Sequence, residues 1–103
     1  MPEHIFFNVI RLPDGDDGAA LEAWAAVGEW MQDQDGFLGS TLYRNRMDQK
    51  MLINKGRYET EEAFMASVRN PDFQALSQRL TDLGVERVAG LYDNVRDFGA
   101  GGN

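Results

Sequence analysis

Cysteine is absent from the 103-residue sequence, and His4 is its only histidine. The lack of cysteine excludes disulfide bonds, thiolate ligands and a thiol nucleophile. A single histidine argues against a structural zinc site or a Ser-His-Asp triad built from this chain. We therefore expect no bound metal ion.

Basic residues are also few. Lys and Arg number 10 against 17 Asp and Glu, which gives a net charge of -7. This charge argues against nucleic-acid binding, because a protein needs a basic surface to displace the counterions of a polyanion. No apolar run reaches the length of a membrane span, and the N-terminus lacks the charged and apolar segments of a secretion signal. We therefore expect a cytoplasmic protein that binds neither nucleic acid nor membrane.

The hydrophobic periodicity predicts four strands and three helical segments in a single domain. In order, these are a strand (4–12), a helix (18–34), two strands (37–46 and 50–58), two helical segments (from 60 and from 71, the second closed by Gly84) and a last strand (87–96). We assign residues 1–96 to the domain and the glycine-rich residues 97–103 to a flexible tail.

Capping residues support the predicted helix boundaries. Asp16 or Asp17 can cap the first helix, Thr60 the second, and Asn70 the third, with Pro71 at its first position. The first helix carries an apolar stripe toward the core, composed of Leu21, Trp24, Val27 and Met31.

The element order is strand, helix, strand, strand, helix pair, strand. The three-residue connection between the two central strands predicts an antiparallel hairpin. Right-handed crossovers then place all helices on one face of a four-stranded antiparallel sheet. The predicted fold is therefore a ferredoxin-like α+β sandwich.

The first strand is apolar on both faces. Ile5, Phe7 and Val9 alternate with the residues of the other face, where Asn8 interrupts the apolar pattern. A strand that is apolar on both sides needs cover on both sides, and the helices cover only one. The uncovered face predicts pairing with a second copy, sheet against sheet, as a homodimer.

The third strand carries Asn54, Gly56 and Tyr58 on one face. An amide and a phenol separated by a residue without a side chain indicate a small pocket with two hydrogen-bonding groups. The alternative is structural: Asn54 bonds a neighbouring loop, and Tyr58 packs its ring under a helix.

These segments together resemble the antibiotic biosynthesis monooxygenase family. The resemblance rests on the element order and on the following segments: Asp35-Gly36-Phe37, Leu42-Tyr43-Arg44, Asn54 with Arg57-Tyr58-Glu59-Thr60, Ala63-Phe64 and Asn70-Pro71-Asp72-Phe73. The resemblance implies a dimeric α/β barrel, with members that oxidise aromatic polyketides or quinols with dioxygen and without metal or flavin.

The same resemblance implies the site residues. The family's oxygenases typically carry an asparagine and, four residues later, a tryptophan. Asn54 matches the asparagine and is the expected catalytic donor, and Tyr58, the second expected catalytic residue, stands in place of the tryptophan. Side chains expected to bind a small aromatic substrate are Asn8, Tyr43, Trp24 and Phe64, Tyr43 replacing a common histidine. No cofactor is expected. The haem-degrading branch needs a histidine where this chain offers Ser77, which argues against haem.

Two functions remain open at this point. The first is a cofactor-independent monooxygenase, in which Asn54 stabilises the substrate oxygen as negative charge develops. This reading lacks a general base, because neither asparagine nor an ordinary tyrosine accepts a proton readily at neutral pH. The second is a non-catalytic homodimer that binds a small molecule or serves as an assembly module.

Overall fold

A computed structural model describes residues 3–100 of the protein. Its elements, in order, are β1 (His4–Arg11), α1 (Gly18–Met31), β2 (Phe37–Arg44), β3 (Met51–Tyr58), α2 (Glu61–Arg69), α3 (Pro71–Asp82) and β4 (Glu86–Tyr92). The strands form one antiparallel sheet in the spatial order β2-β3-β1-β4. The predicted ferredoxin-like α+β fold is confirmed.

Four elements end earlier than predicted: β1 by one residue, β2 by two, α1 by three and β4 by four. After Met31, the N–H groups of Asp33 and Gln34 bond carbonyls three residues back, so α1 closes in tight turns instead of reaching residue 34. Strand β4 ends at Tyr92, which pairs with Ile5. Because β1 begins at His4, almost no residue of β1 remains for a longer β4 to pair with. In the predicted tail, residues 101–103 lie outside the described part of the chain.

Side chains cap the helices as the sequence predicts. Thr60 Oγ1 accepts from the Ala63 N–H at 3.0 Å, and Asn70 Oδ1 accepts from the Asp72 N–H at 2.8 Å. At α1, the N-cap residue is Asp17, whose side chain makes no capping bond, and the preceding Asp16 side chain instead accepts from the Gly18 N–H at 2.9 Å. These bonds satisfy backbone donors that the first turn of a helix leaves free.

The buried stripe of α1 differs from the predicted stripe in its first half, which is shifted by one residue toward the N-terminus. Its buried residues are Ala20, Ala23, Val27 and Met31. Leu21 and Trp24 are only half-buried and pack at the edge of the core. This rotation leaves the Trp24 ring beside the space between helix and sheet.

The two faces of the sheet have different environments. Phe6, Ile10, Leu52 and Tyr58 point toward the helices and are buried in the core. The opposite face carries exposed apolar side chains, namely Tyr43, Val9, Ile53, Val88 and Tyr92. Within residues 3–100, no helix is both long and apolar enough to cross a membrane.

Candidate active site

A cavity lies between the sheet and the helices. The volume of this cavity is about 60 Å³. Its apolar walls come from both layers and include Phe6, Trp24, Val27, Phe64, Phe73 and Leu80, and its polar groups come from Asn8, Asn54, Ser77 and Arg87. A space of this size holds a few water molecules, each needing about 10–15 Å³ on this measure.

The Asn8 and Asn54 side chains enter the cavity from adjacent strands. The two residues are direct partners in the antiparallel register of β1 and β3. Side chains at such positions have Cβ atoms only about 4.5–5.5 Å apart. Both amides therefore reach the same part of the cavity.

Neither amide is satisfied by the protein. Asn8 Oδ1 is buried and has no hydrogen-bond partner among the described residues. Asn54 is 5% exposed, and its side chain makes no hydrogen bond in the described part of the chain. A buried amide without a partner destabilises a protein by about 1–3 kcal/mol. The alternative in which Asn54 bonds a loop is therefore absent, and both amides are free to bind a ligand.

Arg87 also lines the cavity, although the sequence patterns considered above do not point to it. It pairs with the buried Ile10 across the β1–β4 ladder, so its side chain points under α3. Its Nη2 donates to the carbonyl and hydroxyl oxygens of Ser77 at 3.1 and 3.0 Å and to Thr81 Oγ1 at 3.1 Å. Burial lowers the pKa of the Arg87 guanidinium, which still remains a cation at neutral pH.

One signal in the sequence could have found Arg87. In a strand that runs through residue 87, the even positions of β1 and the odd positions of β4 share the helix-facing side. An arginine at such a position, among Ala89 and Leu91, is a charged residue on an inward face, which rarely occurs without a function or a partner.

Trp24 and Phe64 lie where the resemblance implies, in the cavity wall. Tyr58 shares the face of Asn54, as its spacing predicts, but it is 0% exposed and lies outside the wall. Its ring packs against those of Phe6 at 5.8 Å, Phe64 at 5.6 Å and Phe37 at 5.4 Å. The Tyr58 ring therefore packs under a helix, which is the structural role given above as the alternative to substrate binding.

The Tyr58 hydroxyl is buried without a hydrogen-bond partner in residues 3–100. Burial raises the pKa of the Tyr58 phenol, and the nearby Ser67 side chain opposes this only in part. A phenol that ionises less readily than usual is a still weaker base candidate at neutral pH.

Two expectations need correction. Tyr43 pairs with Ile53 and is 53% exposed, so the strand pleat directs it to the face opposite Asn54. It does not line this cavity. The gap expected above Gly56 is filled, because the ring of Phe6 packs directly over that residue and a Cβ there would overlap it.

Among the described residues that line the cavity, Arg87 is the only titratable group. Within residues 3–100, no carboxylate or imidazole lines it, and His4 lies at the start of β1, where it pairs with Tyr58. The shortage of a general base inferred from the sequence therefore applies to this cavity as well.

Comparisons with known proteins agree with this fold. A family model described as antibiotic biosynthesis monooxygenase matches residues 4–79. The chain is similar in structure to SnoaB, a cofactor-independent oxygenase from Streptomyces nogalater, with 21% identity, a TM-score of 0.83 and a match covering 97% of this chain and 100% of that one. No curated protein matches the sequence.

Two further solved structures are similar. A proposed antibiotic biosynthesis monooxygenase from Deinococcus radiodurans is 11% identical, with a TM-score of 0.80 and a match over 96% of this chain and 99% of that one. A proposed monooxygenase from Shewanella loihica is 25% identical, with a TM-score of 0.72 and a match over 92% and 96%. The first of these and SnoaB, at such low identity, establish the fold alone.

Proposed function

Because the chain belongs to the antibiotic biosynthesis monooxygenase family, we propose that it oxidises a small aromatic substrate, a quinol, anthrone or polyketide-like phenol, with dioxygen and without a cofactor. The observation that carries this proposal is the pair of unsatisfied amides, Asn8 and Asn54, facing one apolar cavity. Apolar walls with a few convergent polar groups are typical of sites for small organic molecules.

The proposed reaction draws all its electrons from the substrate. An electron-rich phenol or anthrone first loses a proton, and the resulting carbanion reduces dioxygen. One oxygen atom bonds to the ring carbon, and the other leaves as water with two hydrogens of the substrate. For an anthrone, all four electrons gained by dioxygen come from the ring carbon, whose CH₂ group becomes the quinone carbonyl. For a quinol, two come from the hydroxylated carbon and two from oxidation of the quinol to the quinone.

Asn54 is the proposed catalytic residue. Its amide N–H donates to the substrate oxygen on which negative charge accumulates as the proton leaves. A fixed donor of this kind contributes about 2.7–4 kcal/mol to transition-state stabilisation. Asn8 binds the substrate beside it, and the rings of Trp24 and Phe64 form the apolar walls on which an aromatic ring packs.

Tyr58 is proposed to position the site without touching the substrate. Its ring supports Phe6 and Phe64, both of which line the cavity. Since the cavity lining provides no base, the substrate proton passes to solvent, and substrates that ionise easily are favoured.

The cavity size restricts how a substrate binds. Its 60 Å³ is well below the roughly 150 Å³ that encloses a benzene ring on a comparable scale. The lining residue Ala89 is exposed, so the cavity reaches the surface beside β4. We infer that the reacting edge of one ring enters, while the remainder of a larger substrate extends past Ala89.

The direct test is oxygen uptake by the purified protein with a panel of quinols and anthrones. With ¹⁸O-labelled dioxygen, the proposed reaction places one labelled atom in the product and one in water. Asn54→Ala, checked for folding by circular dichroism, serves as the inactive reference. Uptake no faster than spontaneous oxidation in buffer, across the panel, would reject the proposal.

One observation favours the second candidate, a non-catalytic homodimer that binds a small molecule. Tyr58 occupies the position where the resemblance implies a tryptophan, and it is walled off from the cavity. This candidate predicts saturable binding of aromatic ligands without oxygen uptake.

We further propose that the protein is a homodimer joined through the exposed sheet face. Val9, Ile53 and Val88 give this face an apolar centre, and covering such a surface with a second copy gives a closed twofold assembly. The light-scattering mass in solution tests this assembly independently of catalysis.

A further inference from the structure

Arg87 is a cation at the cavity wall that no carboxylate of residues 3–100 neutralises. The ion pairs within residues 3–100 involve other residues. The acceptors that hold Arg87 are neutral oxygens of Ser77, Thr81 and Val85. A partly buried positive charge without a negative partner is unfavourable unless a ligand supplies the negative charge.

The guanidinium also retains free donors. An arginine carries five N–H groups. Nη2 directs its two hydrogens to Ser77 and Thr81, and Nη1 directs one to the Val85 carbonyl at 3.3 Å. The Nε hydrogen and the second Nη1 hydrogen therefore have no acceptor in the described part of the chain.

Arg87 is a near neighbour of Asn8. In the β1–β4 register, Asn8 pairs with Ala89 and Ile10 pairs with Arg87, so Arg87 is diagonal to Asn8 on the same face. Diagonal neighbours lie about 7–8 Å apart, within reach of a long side chain. The cavity lining thus includes both Arg87, which retains free donors, and Asn8, whose Oδ1 is a free acceptor among the described residues.

We propose that the cavity binds a hydroxy-aromatic monoanion, whose ionised oxygen accepts hydrogen bonds from Arg87 and whose remaining hydroxyl donates to Asn8 Oδ1. The aromatic character of the ligand rests on the proposed function, whereas its charge and its hydroxyl follow from the two unpaired groups. The anionic oxygen is a carboxylate or an ionised phenol, which present the same chemistry to Arg87.

This arrangement bears on the missing base. A ligand that binds as an ionised phenol has already released its phenolic proton to solvent, so the cavity needs no carboxylate or imidazole to remove that proton. A ligand that binds through a carboxylate leaves this step to the solvent. Arg87 is then a binding residue that selects the ionised form, and Asn54 remains free to stabilise charge on a second oxygen.

The test is calorimetric titration under nitrogen, which prevents turnover. The carboxylate probe is 3-hydroxybenzoate, with the nearly isosteric 3-hydroxybenzamide as its neutral match. The phenolate probe is the 4-nitrocatechol monoanion, with neutral catechol as its match. We expect at least one anion to bind about tenfold or more tightly than its neutral match, because hydrogen bonds to charged groups contribute about 1.5–3 kcal/mol. The tighter of the two anions identifies the acid.

Two variants locate the effect. Arg87→Gln should weaken anion binding by about 10- to 100-fold and the neutral probes much less. Arg79→Gln removes the same charge from an exposed position on α3 and should leave both affinities unchanged. Asn8→Ala should remove the advantage of 3-hydroxybenzoate over benzoate.

Each failure has its own meaning. Equal affinity for charged and neutral probes in the wild type, or no saturable binding of either anion, overturns this inference without any variant having to fold. Arg87-dependent anion binding without oxygen uptake supports it while the proposed oxygenase activity fails. Oxygen uptake that is unaffected by Arg87→Gln overturns it while that activity stands.

Discussion

Asn8 and Asn54 face each other across the central strand pair of the sheet, and neither amide has a hydrogen-bond partner in the described part of the chain. The Asn8 position would be more stable with an apolar residue, because its Oδ1 is buried without a partner among the described residues. Polar groups held in a core against stability are expected at sites of binding or catalysis.

Replacing Asn8 with Leu should therefore separate stability from function. We expect the free energy of unfolding to rise by about 1 kcal/mol, because an unpaired buried oxygen is removed at similar side-chain volume. Oxygen uptake should fall. Asn94→Leu, at an exposed amide, is the control and should change neither quantity. A less stable Asn8→Leu variant would contradict the assignment of Asn8 Oδ1 as unsatisfied.

Asn54→Ala should lower turnover by about 10²-fold or more, as for the loss of a single oxyanion donor. Since Asn8 touches the same part of the cavity, the double variant Asn8→Ala with Asn54→Ala should lose less than the product of the single losses. Oxygen-electrode rates for the four proteins give this coupling. Strict additivity would place the two amides in separate sites.

Tyr58→Phe should leave both the fold and turnover intact. The hydroxyl forms no well-aligned hydrogen bond within residues 3–100, has the Ser67 side chain near it and does not line the cavity, whereas the ring packs among three phenylalanines. Thermal unfolding should show equal or higher stability, because an unsatisfied buried group is lost. A large fall in turnover with stability unchanged would instead assign the hydroxyl a catalytic role.

The same residue predicts a pH dependence of stability. Burial raises the pKa of Tyr58 in the folded protein above the value of about 10 for an unfolded chain. The contribution of the protonated Tyr58 phenol to the free energy of unfolding is fully present below about pH 10. It is lost as the pH rises further, since the unfolded chain releases the phenol proton first. Urea titrations above pH 10 should show a shallower loss of stability for Tyr58→Phe than for the wild type.

Strand parity accounts for most of what could be predicted from the sequence. The alternation of β1 and β3 placed Asn54 on the helix-facing side and Val9 and Ile53 on the other, and the register of the sheet has this arrangement. Capping residues Thr60 and Asn70 set the helix starts because their hydrogen bonds are local.

The remaining features depend on contacts between distant segments. Tyr43 lies one position away from the cavity-facing side because β2 carries an irregularity between Phe37 and Gly39, which periodicity alone does not locate. The filling of the space above Gly56 by Phe6 depends on which residues β1 and β3 pair, and so does the isolation of Tyr58 behind Phe6 and Phe64.

Gly56 should tolerate no side chain. A Cβ at this position would overlap the buried ring of Phe6, which is packed between Tyr58 and Phe64. We expect Gly56→Ala to destabilise the fold by about 1–3 kcal/mol, the usual effect of overpacking a core. In the Phe6→Leu background the added methyl should be better tolerated, as a double-mutant cycle in urea would measure.

The matched control is Gly90→Ala. This glycine also lies in a strand, and a Cβ there meets no atom within 4 Å. Because Gly90 pairs with Phe7 on the proposed dimer face, both glycine variants are compared in a monomeric Ile53→Glu background. Substitution of Gly90 should change stability far less than that of Gly56. Equal effects at the two positions would mean that backbone conformation, not the Phe6 ring, requires glycine at residue 56.

The apolar side chains of the exposed sheet face form one continuous surface, because they lie on paired strands. Val9 and Ile53 are direct partners at its centre and are 36% and 38% exposed. If a second copy covers them, a carboxylate at Ile53→Glu would be buried without a partner and should weaken the dimer by about 3 kcal/mol or more. Light scattering should then report a dimer for the wild type and a monomer for this variant.

Met47→Glu introduces the same charge in the β2–β3 turn, at a side chain that is 97% exposed, and should remain dimeric. A monomeric wild type, or an Ile53→Glu protein that stays dimeric, would mean that this face is not the interface and that its apolar side chains remain in contact with water.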